Sequence, residues 1–301
     1  MPKLDKVMGS SLAVGLATGA GRVVPPRAAR RIGAAMARVA ARRDSTLARA
    51  VRMNQWMASG RTLAGEALDA AVEETLRHAV MAQYHLYHNF GDARAMTAMV
   101  EIDDSMAEVL ERSHGSPEGT IVVGPHVGNF DFGMHALGHA GFRAQFIGVP
   151  DPGGGYRKQY EQRASAGVEV LPMSKKTYAR SLETLREGGC VGIGVDRPSP
   201  GSKYRPVFFG HPASLPVVHV RLALVTGAPI WVASAILEES GKYRITARGP
   251  IVLGGAGDRR RDTLAGAERV LRVAEDVIRS APKQWLMFYP VWPDLEDEVP
   301  K

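Results

Sequence analysis

A histidine and an aspartate stand five residues apart in the run from Gly124 to Asp131, which reads Gly-Pro-His-Val-Gly-Asn-Phe-Asp. The run follows an apolar segment, Thr120–Val123, and its central Gly and Asn favour a tight turn. Across such a turn, the carboxylate of Asp131 can accept the Nδ1–H of His126 and leave Nε2 as a general base. Spacing alone leaves two interpretations open, a catalytic pair and a structural turn.

Other reactive side chains favour structural roles. The single cysteine, Cys190, excludes an internal disulfide framework, and its apolar setting predicts a buried, unreactive thiol. No Gly-x-Ser-x-Gly motif is present, so nothing indicates a serine nucleophile. His135 and His139 have helical spacing but lack the glutamate of a zinc-protease helix. The sequence therefore predicts neither a bound metal nor a cofactor.

These residues lie within alternating strands and helices. Six short apolar segments predict strands: Thr120–Val123, Ala144–Gly148, Val168–Leu171, Val191–Val195, Ile230–Ala235 and Tyr243–Ala247. Helical patterns follow at 66–90, Phe132–Ala140, Tyr156–Ala166, Tyr178–Glu187, Val217–Val225 and Leu264–Ser280. This order predicts an α/β fold with a mostly parallel central sheet covered by helices. His126 then falls at the carboxyl end of a strand, where such sheets bind ligands.

The first 60 residues predict an N-terminal amphipathic helical extension to a domain over 61–301. They hold eleven Lys and Arg against two Asp, whereas the whole chain carries a net charge of +7. One helix is predicted from Pro25-Pro26 to about Arg43 and a second from Asp44-Ser45 to about Trp56. No nucleic-acid motif accompanies the basic residues, which favours anionic membrane lipids as the partner. Two alternatives are helices that only pack on the domain and a signal peptide over Val7–Val24.

Several further blocks match a known family in order along the chain. The His126–Asp131 run resembles the His-x4-Asp/Glu motif of glycerolipid and lysophospholipid acyltransferases. In its detail it is similar to the branch of lipid A lauroyl/myristoyl and phosphatidylinositol mannoside acyltransferases. The downstream blocks that resemble this branch are Arg163–Pro172, Val195–Pro198, Val207–Gly210, Leu222–Pro229, Pro282–Trp285 and Tyr289–Trp292. The resemblance thus covers most of the chain from about residue 120 to 293.

This resemblance implies O-acyl transfer at the cytoplasmic face of a bacterial inner membrane, by a peripheral enzyme. The donor would be acyl-CoA or acyl carrier protein, and the acceptor a hydroxyl of a glycolipid or lysolipid. His126 would be the base and Asp131 its orienting partner. A thioester is already activated, so no covalent intermediate is required. The acceptor remains open between lipid A precursors, phosphatidylinositol mannosides and other glycolipids.

The same resemblance assigns substrate-binding positions. Arg163 would contact the phosphate-bearing donor, Asp196 and Arg197 would lie near the acceptor, and Ser202 would touch the donor. Some relatives carry Glu where this chain has Asp196. The turn at Gly128-Asn129 would offer backbone N–H groups to the developing oxyanion, with Asn129 among the binding residues. Arg163 and Asp196 also fit structural roles, a solvated helix residue and an ion pair at a strand end.

Two other classes of protein fit part of the pattern. A metal-assisted hydrolase would use His126, Asp131 and Asp196 as ligands and require a bound metal. A lipid-binding protein without activity would keep the fold and bind anionic vesicles through residues 1–60. The intact His/Asp pair favours an enzyme.

Overall fold

A computed structural model describes residues 23–150 and 154–300 and confirms the predicted α/β class. Its main sheet has seven strands. Numbered in chain order, these strands are β1 Val100–Ile102, β2 Thr120–Gly124, β3 Gln145–Gly148, β4 Glu169–Pro172, β5 Cys190–Gly194, β8 Ile230–Leu237 and β9 Tyr243–Ile251. Across the sheet they lie in the order β1-β9-β8-β2-β5-β3-β4. A separate two-stranded hairpin consists of β6 Val207–Phe208 and β7 His211–Pro212.

Helices cover the sheet and precede it. In chain order they are α1 Pro26–Ala41, α2 Thr46–Ala58, α3 Gly65–Asn89, α4 Ala93–Ala98, α5 Asp104–Arg112, α6 Phe130–His139, α7 Gly154–Ser165, α8 Lys175–Arg186, α9 Val218–Thr226 and α10 Arg259–Ser280. Two short 3-10 turns, Pro282–Gln284 and Pro293–Glu298, follow α10. All six predicted strands and every predicted helix are present within a few residues of the expected bounds.

The sheet is parallel except where β9 runs antiparallel to β8. Strand β2 lies between β8 and β5, and Gly124 at its end pairs with Gly194 at the end of β5. Because parallel strands end at the same edge, the residues that follow β2 and β5 emerge side by side. This edge carries the candidate site.

The sequence patterns missed helices α4 and α5 and three strands, and these strands are short. Strand β1 has three half-buried residues, and β6 and β7 have two residues each. A strand of two or three residues shows too little alternation to be distinguished from a loop. The hairpin turn at Phe209-Gly210 has positive φ at both positions, 48° and 76°, as a two-residue hairpin of type I′ requires.

The two predicted N-terminal helices are confirmed, and they pack differently. Helix α2 starts at the N-cap Ser45 and buries Met53, Trp56 and Met57 in the main core. Helix α1 packs on α3 through a stripe of small residues, Ala29, Gly33 and Ala37. No helix among the described residues is long and apolar enough to cross a membrane. The Val7–Val24 stretch lies, up to residue 22, outside the described residues, and the division at residue 60 stays a prediction.

Candidate active site

His126 and Asp196 form a hydrogen-bonded pair at the edge where β2 and β5 end. His126 Nδ1 lies 2.6 Å from Asp196 Oδ1, and the backbone N–H of His126 donates to Asp196 Oδ2 at 2.8 Å. Asp196 is fully buried, with 0% of its surface exposed. The arrangement fixes the imidazole by one ring nitrogen and by its own backbone.

The other ring nitrogen, Nε2, takes no part in the contact with Asp196. The two nitrogens of an imidazole diverge, so Nε2 of His126 points away from Asp196, and 23% of the side chain is exposed. The ring packs edge-on against Phe130, with centroids 4.9 Å apart. Gly194 leaves room on the other side, since a Cβ there would lie 3.2 Å from Cε1 of His126. A carboxylate on Nδ1 and an accessible Nε2 are the geometry of a general base.

The predicted contact between His126 and Asp131 is wrong in this structure. Asp131 lies in the first turn of α6, where its Oδ1 accepts from Arg163 Nε at 2.7 Å and pairs with Nη2 at 2.6 Å. Both side chains are nearly buried, which keeps the pair together because neither charge can be left unpaired there. The helix therefore turns the carboxylate of Asp131 towards α7 rather than towards the imidazole.

Arg163, which was expected to contact the donor, is thus held beside Asp131. Its guanidinium carries five N–H donors, and the two contacts with Asp131 leave others for a further acceptor, so the donor contact stays a prediction. Two neighbours of the pair have shifted pKa values. Burial, then the charge of Asp131, raises the pKa of Tyr87 to about 12, and burial lowers the pKa of His135.

Asn129 caps helix α6 instead of offering its side chain to a substrate. Its Oδ1 accepts from Phe132 N at 3.1 Å, and its Nδ2 donates to Ala82 O at 2.8 Å and to Tyr243 Oη at 3.2 Å. The side chain is 3% exposed, and both N–H groups of its amide and one acceptor position of its oxygen are used. In this structure Asn129 therefore fixes the turn and the start of α6, and its substrate contact stays a prediction.

The backbone N–H groups of the same turn are also engaged in hydrogen bonds. Gly128 N donates to Gln284 O at 2.8 Å, and Asn129 N donates to Ala235 O at 2.9 Å. These two N–H groups are consequently not oriented towards an oxyanion, contrary to the expectation from the sequence. Gly128 itself has a φ of +68°, and an added Cβ would meet Ala235 O at 1.9 Å. The turn is thus fastened tightly to β8.

Two predicted binding residues lie further along the loop after β5. Arg197 follows the buried Asp196, places its guanidinium 4.4 Å from the ring centroid of Tyr289 and donates to Tyr289 Oη at 3.0 Å. Ser202 forms a local turn in which its Oγ accepts from Tyr204 N and donates to Tyr204 O, both at 3.2 Å. Arg197 is therefore adjacent to the His126–Asp196 pair, whereas the Ser202 hydroxyl is occupied within its own loop.

The remaining reactive groups do not gather into a second centre. Cys190 is buried as predicted, and burial raises the pKa of its thiol to about 12. Within residues 23–150 and 154–300, no three His, Cys, Asp or Glu side chains are grouped to hold a metal ion. The three ligands of the metal-hydrolase alternative are divided, because Asp131 is engaged with Arg163 while Asp196 is engaged with His126.

Sequence reasoning named both members of the His126–Asp196 pair but expected His126 to contact Asp131 instead. The sequence held only part of the signal for Asp196, which follows β5 as closely as His126 follows β2, because the pairing of β2 with β5 is seen only in the structure. If β2 and β5 are neighbours, the two side chains must meet. Sequence reasoning also missed Trp285, whose indole Nε1–H donates to Asp196 Oδ2 at 2.7 Å.

Known proteins resemble this chain in sequence. The family described as bacterial lipid A biosynthesis acyltransferase matches residues 6–293. The chain is 28% identical over 179 residues to a phosphatidylinositol mannoside acyltransferase of Mycobacterium tuberculosis (strain CDC 1551 / Oshkosh), which covers 58% of this chain. It is 28% identical over 186 residues to the protein of the same name from Mycolicibacterium smegmatis, which covers 60%.

The matched segments span 54% and 59% of these two relatives' own lengths. The family match extends much further, over nearly the whole chain and every element of the site. This protein belongs to the bacterial lipid A biosynthesis acyltransferase family.

Proposed function

We propose that this protein is an O-acyltransferase that moves a fatty acyl chain from a thioester donor to a hydroxyl of a lipid or glycolipid. The observation that carries the proposal is the His126–Asp196 pair, in which a buried carboxylate holds Nδ1 and leaves Nε2 accessible. The family membership specifies acyl transfer among the reactions that such a base can serve. Asp196, rather than Asp131, is then the orienting partner.

The reaction follows from the pair. His126 Nε2 takes the proton of the acceptor hydroxyl while its oxygen attacks the thioester carbonyl, and the new C–O bond forms. Asp196 stabilises the imidazolium that results, because its negative charge lies 2.6 Å from Nδ1. The C–S bond then breaks, and the imidazolium returns the proton to the departing thiolate. Base, proton and leaving group balance without a covalent acyl-enzyme.

The substrate class rests on the relatives. Those compared above are named phosphatidylinositol mannoside acyltransferases, and we propose a glycolipid or lysolipid acceptor for this chain as well. The donor is acyl-CoA or acyl carrier protein, since both present a thioester on a phosphopantetheine arm. No cofactor takes part in the proposed step.

The exposed surface of helix α1 favours attachment to an anionic membrane. Ile32, Met36 and Val39 follow i, i+4, i+7 spacing and are 51–56% exposed, so they form one apolar stripe on the outside of α1. Exposed arginines flank this stripe, among them Arg31 and Arg42. An exposed apolar stripe beside cationic side chains is typical of a helix lying in a lipid interface. We propose peripheral attachment at the cytoplasmic face of the cell membrane.

The catalytic proposal is tested with purified protein, palmitoyl-CoA, and mixed micelles containing phosphatidylinositol mannosides. Wild-type protein should release CoA and yield an acylated glycolipid by mass spectrometry, and palmitoyl-carrier protein serves as the second donor. His126→Ala should lower the rate by roughly 10²- to 10⁴-fold. His139→Ala removes an exposed histidine at the end of α6, the helix that follows His126, and should leave the rate unchanged. A His126→Ala variant at wild-type rate would refute the mechanism.

Membrane attachment is tested by vesicle co-sedimentation. We expect binding to phosphatidylglycerol-rich vesicles that weakens with salt, and loss of binding in Ile32→Asp/Met36→Asp. The control, Val225→Asp/Val252→Asp, changes two valines that are 54% and 57% exposed elsewhere on the surface. Equal binding of the two double variants would contradict a role for α1.

A further inference from the structure

Trp285 contacts the proposed catalytic pair through the carboxylate of Asp196. Its indole N–H donates to Asp196 Oδ2 at 2.7 Å, the same oxygen that accepts from His126 N at 2.8 Å. The other oxygen, Oδ1, is left for His126 Nδ1 at 2.6 Å. Two N–H donors therefore fix Oδ2 of the carboxylate. With Oδ2 held in this way, Oδ1 faces the imidazole of His126.

A carboxylate in this position needs such fixing. The aspartate side chain rotates about two bonds, and one rotation exchanges its two oxygens. With Asp196 fully buried, its oxygens have no water to satisfy them, so each needs a donor from the protein. An indole N–H is a donor only, and it brings no charge that would compete with the imidazolium for the carboxylate. Trp285 therefore supplies a contact that keeps the charge of Asp196 available to His126.

The backbone around Trp285 is tied to the backbone around the base. Trp285 pairs with Val127 in an antiparallel bridge, and Leu286 N donates to His126 O at 2.7 Å. Movement of the indole relative to the imidazole is thus limited by direct main-chain bonds. One segment holds the histidine by its carbonyl and the aspartate by a side chain.

The ring of Trp285 is held by aromatic packing. It is 1% exposed and lies 5.7 Å from the ring of Phe209 and 6.4 Å from that of Trp292, between centroids. Phe209 adopts a positive φ in its hairpin turn, and its N–H donates to the buried carboxylate of Glu275 at 2.6 Å. A bulky residue in this backbone conformation is held there by its surroundings. The packing leaves the indole one orientation, with Nε1 on Asp196.

We propose that Trp285 is a positioning residue for acyl transfer, whose indole N–H orients Asp196 so that one carboxylate oxygen stays on His126 Nδ1. This inference rests on the proposed function and adds a residue that does not touch substrate. Its loss acts on the chemical step through the imidazole, while binding of donor and acceptor is unaffected.

The test compares Trp285→Phe with Trp292→Phe. Both tryptophans are fully buried in one aromatic cluster, but the indole of Trp292 donates to the carbonyl oxygen of His211 at 3.3 Å instead of to Asp196. The packing loss and the loss of an indole N–H are therefore matched, and only Trp285→Phe loses the donor to Asp196. We expect Trp285→Phe to lower kcat roughly 10- to 100-fold with KM within about twofold of wild type. Trp292→Phe should keep kcat within about threefold of wild type.

A proton NMR signal reports the contact without turnover. The Nδ1–H of His126, identified by its disappearance in His126→Ala, should resonate far downfield in wild type and in Trp292→Phe. In Trp285→Phe this signal should shift upfield or broaden. If Trp285→Phe fails to fold, 3-benzothienylalanine at position 285 keeps the shape of the ring system and removes only the N–H.

The outcomes separate this inference from the proposed function. Normal kcat and an unshifted signal in a folded Trp285 variant, with Asp196→Asn inactive, overturn the positioning role and leave the pair in place. Equal losses in Trp285→Phe and Trp292→Phe also overturn it, since packing would then explain both. Full activity of His126→Ala and Asp196→Asn would refute the proposed function itself.

Discussion

Two carboxylates of this site lie within one neighbourhood and have different partners. Asp196 is fully buried and holds His126 through Nδ1, whereas Asp131 is nearly buried and pairs with Arg163. Asp131 stands five residues from His126, and Asp196 stands 70 residues away. The nearer residue in sequence is the one that does not touch the base.

The difference follows from the elements that carry the two carboxylates. Asp131 sits inside α6, so the helix dictates its direction and directs it to α7. Asp196 sits in the loop directly after β5, beside the loop that carries His126 after β2. We conclude that adjacency of strand ends, rather than spacing within the motif, selects the partner of His126. We interpret the Asp131–Arg163 pair as a support for the start of α6.

Replacing Asp196 should have the largest effect. Asp196→Asn keeps the shape of the side chain but cannot stabilise the imidazolium, so we expect kcat to fall by roughly 10³- to 10⁴-fold. Initial rates with palmitoyl-CoA and glycolipid micelles measure this effect, and circular dichroism verifies the fold. A loss of less than tenfold would contradict the assignment of Asp196.

Replacing Asp131 should affect stability more than chemistry. Asp131→Asn leaves the guanidinium of Arg163 nearly buried without its charge partner, so we expect a loss of about 3 kcal/mol in the free energy of unfolding. For the folded fraction, kcat should stay within about tenfold of wild type. Denaturant unfolding and initial rates, measured on the same sample, separate the two effects.

The double variant Asp131→Asn/Arg163→Met is the control for that prediction. It removes both charges and should recover much of the stability that Asp131→Asn loses. If Asp131→Asn is stable but inactive, Asp131 would be the catalytic partner and the comparison between the two pairs would be reversed.

A methyl group beside the imidazole should have a smaller effect. In Gly194→Ala the new Cβ would lie 3.2 Å from His126 Cε1, so the ring must shift by a few tenths of an ångström. We expect kcat to fall roughly five- to tenfold with little change in stability. Gly254→Ala is the matched control, because a Cβ there meets no atom within 4 Å. Equal rates for the two variants would show that the ring position tolerates movement.

Acid should weaken the hydrogen bonds that hold Asn129 in the turn between His126 and Asp131. Asn129 bonds Tyr243, which bonds His85 Nδ1 at 2.7 Å, and burial lowers the pKa of His85 from 6.5 to about 4. Between pH 6.5 and about 4, His85 is therefore more protonated in the unfolded chain than in the folded chain. The stabilisation from neutral His85 is complete above pH 6.5 and lost as the pH falls towards 4.

We expect this effect to be on the order of 2 kcal/mol. Thermal unfolding of wild type and His85→Gln between pH 7 and 4 measures it, and the variant should show the shallower decline. Burial also lowers the pKa of His219, to about 3. Because both proteins contain His219, the difference between their profiles isolates His85. Parallel profiles would contradict the role of His85.

The sequence predicted six of the seven strands of the main sheet because these six lie in mostly apolar segments of four residues or more. It predicted His126 and the family from motifs whose order along the chain is specific. It did not predict which carboxylate faces the imidazole, because that depends on the order of the strands in the sheet. This order cannot be read from local residue patterns. For the same reason the contact from Trp285 to Asp196 could not be foreseen, because the two residues are 89 positions apart.

The hydrogen bonds of Asn129 show a second limit of prediction from sequence. Its residue type fits a turn, an N-cap and a polar binding site equally well. Only the positions of Ala82 and Tyr243 decide that its amide is consumed by the fold. Arg163 was ambiguous in the same way until Asp131 was placed beside it.

The most direct test of the central claim is nitrogen NMR of the His126 ring in ¹⁵N-histidine-labelled protein above the pH at which the ring is charged. If Asp196 is the partner, the wild-type spectrum shows the proton on Nδ1 with Nε2 unprotonated, and Asp131→Asn leaves that pattern unchanged. In Asp196→Asn the Nδ1–H tautomer should no longer dominate. The result that would contradict the account is the reverse, a tautomer that changes with Asp131→Asn and persists in Asp196→Asn.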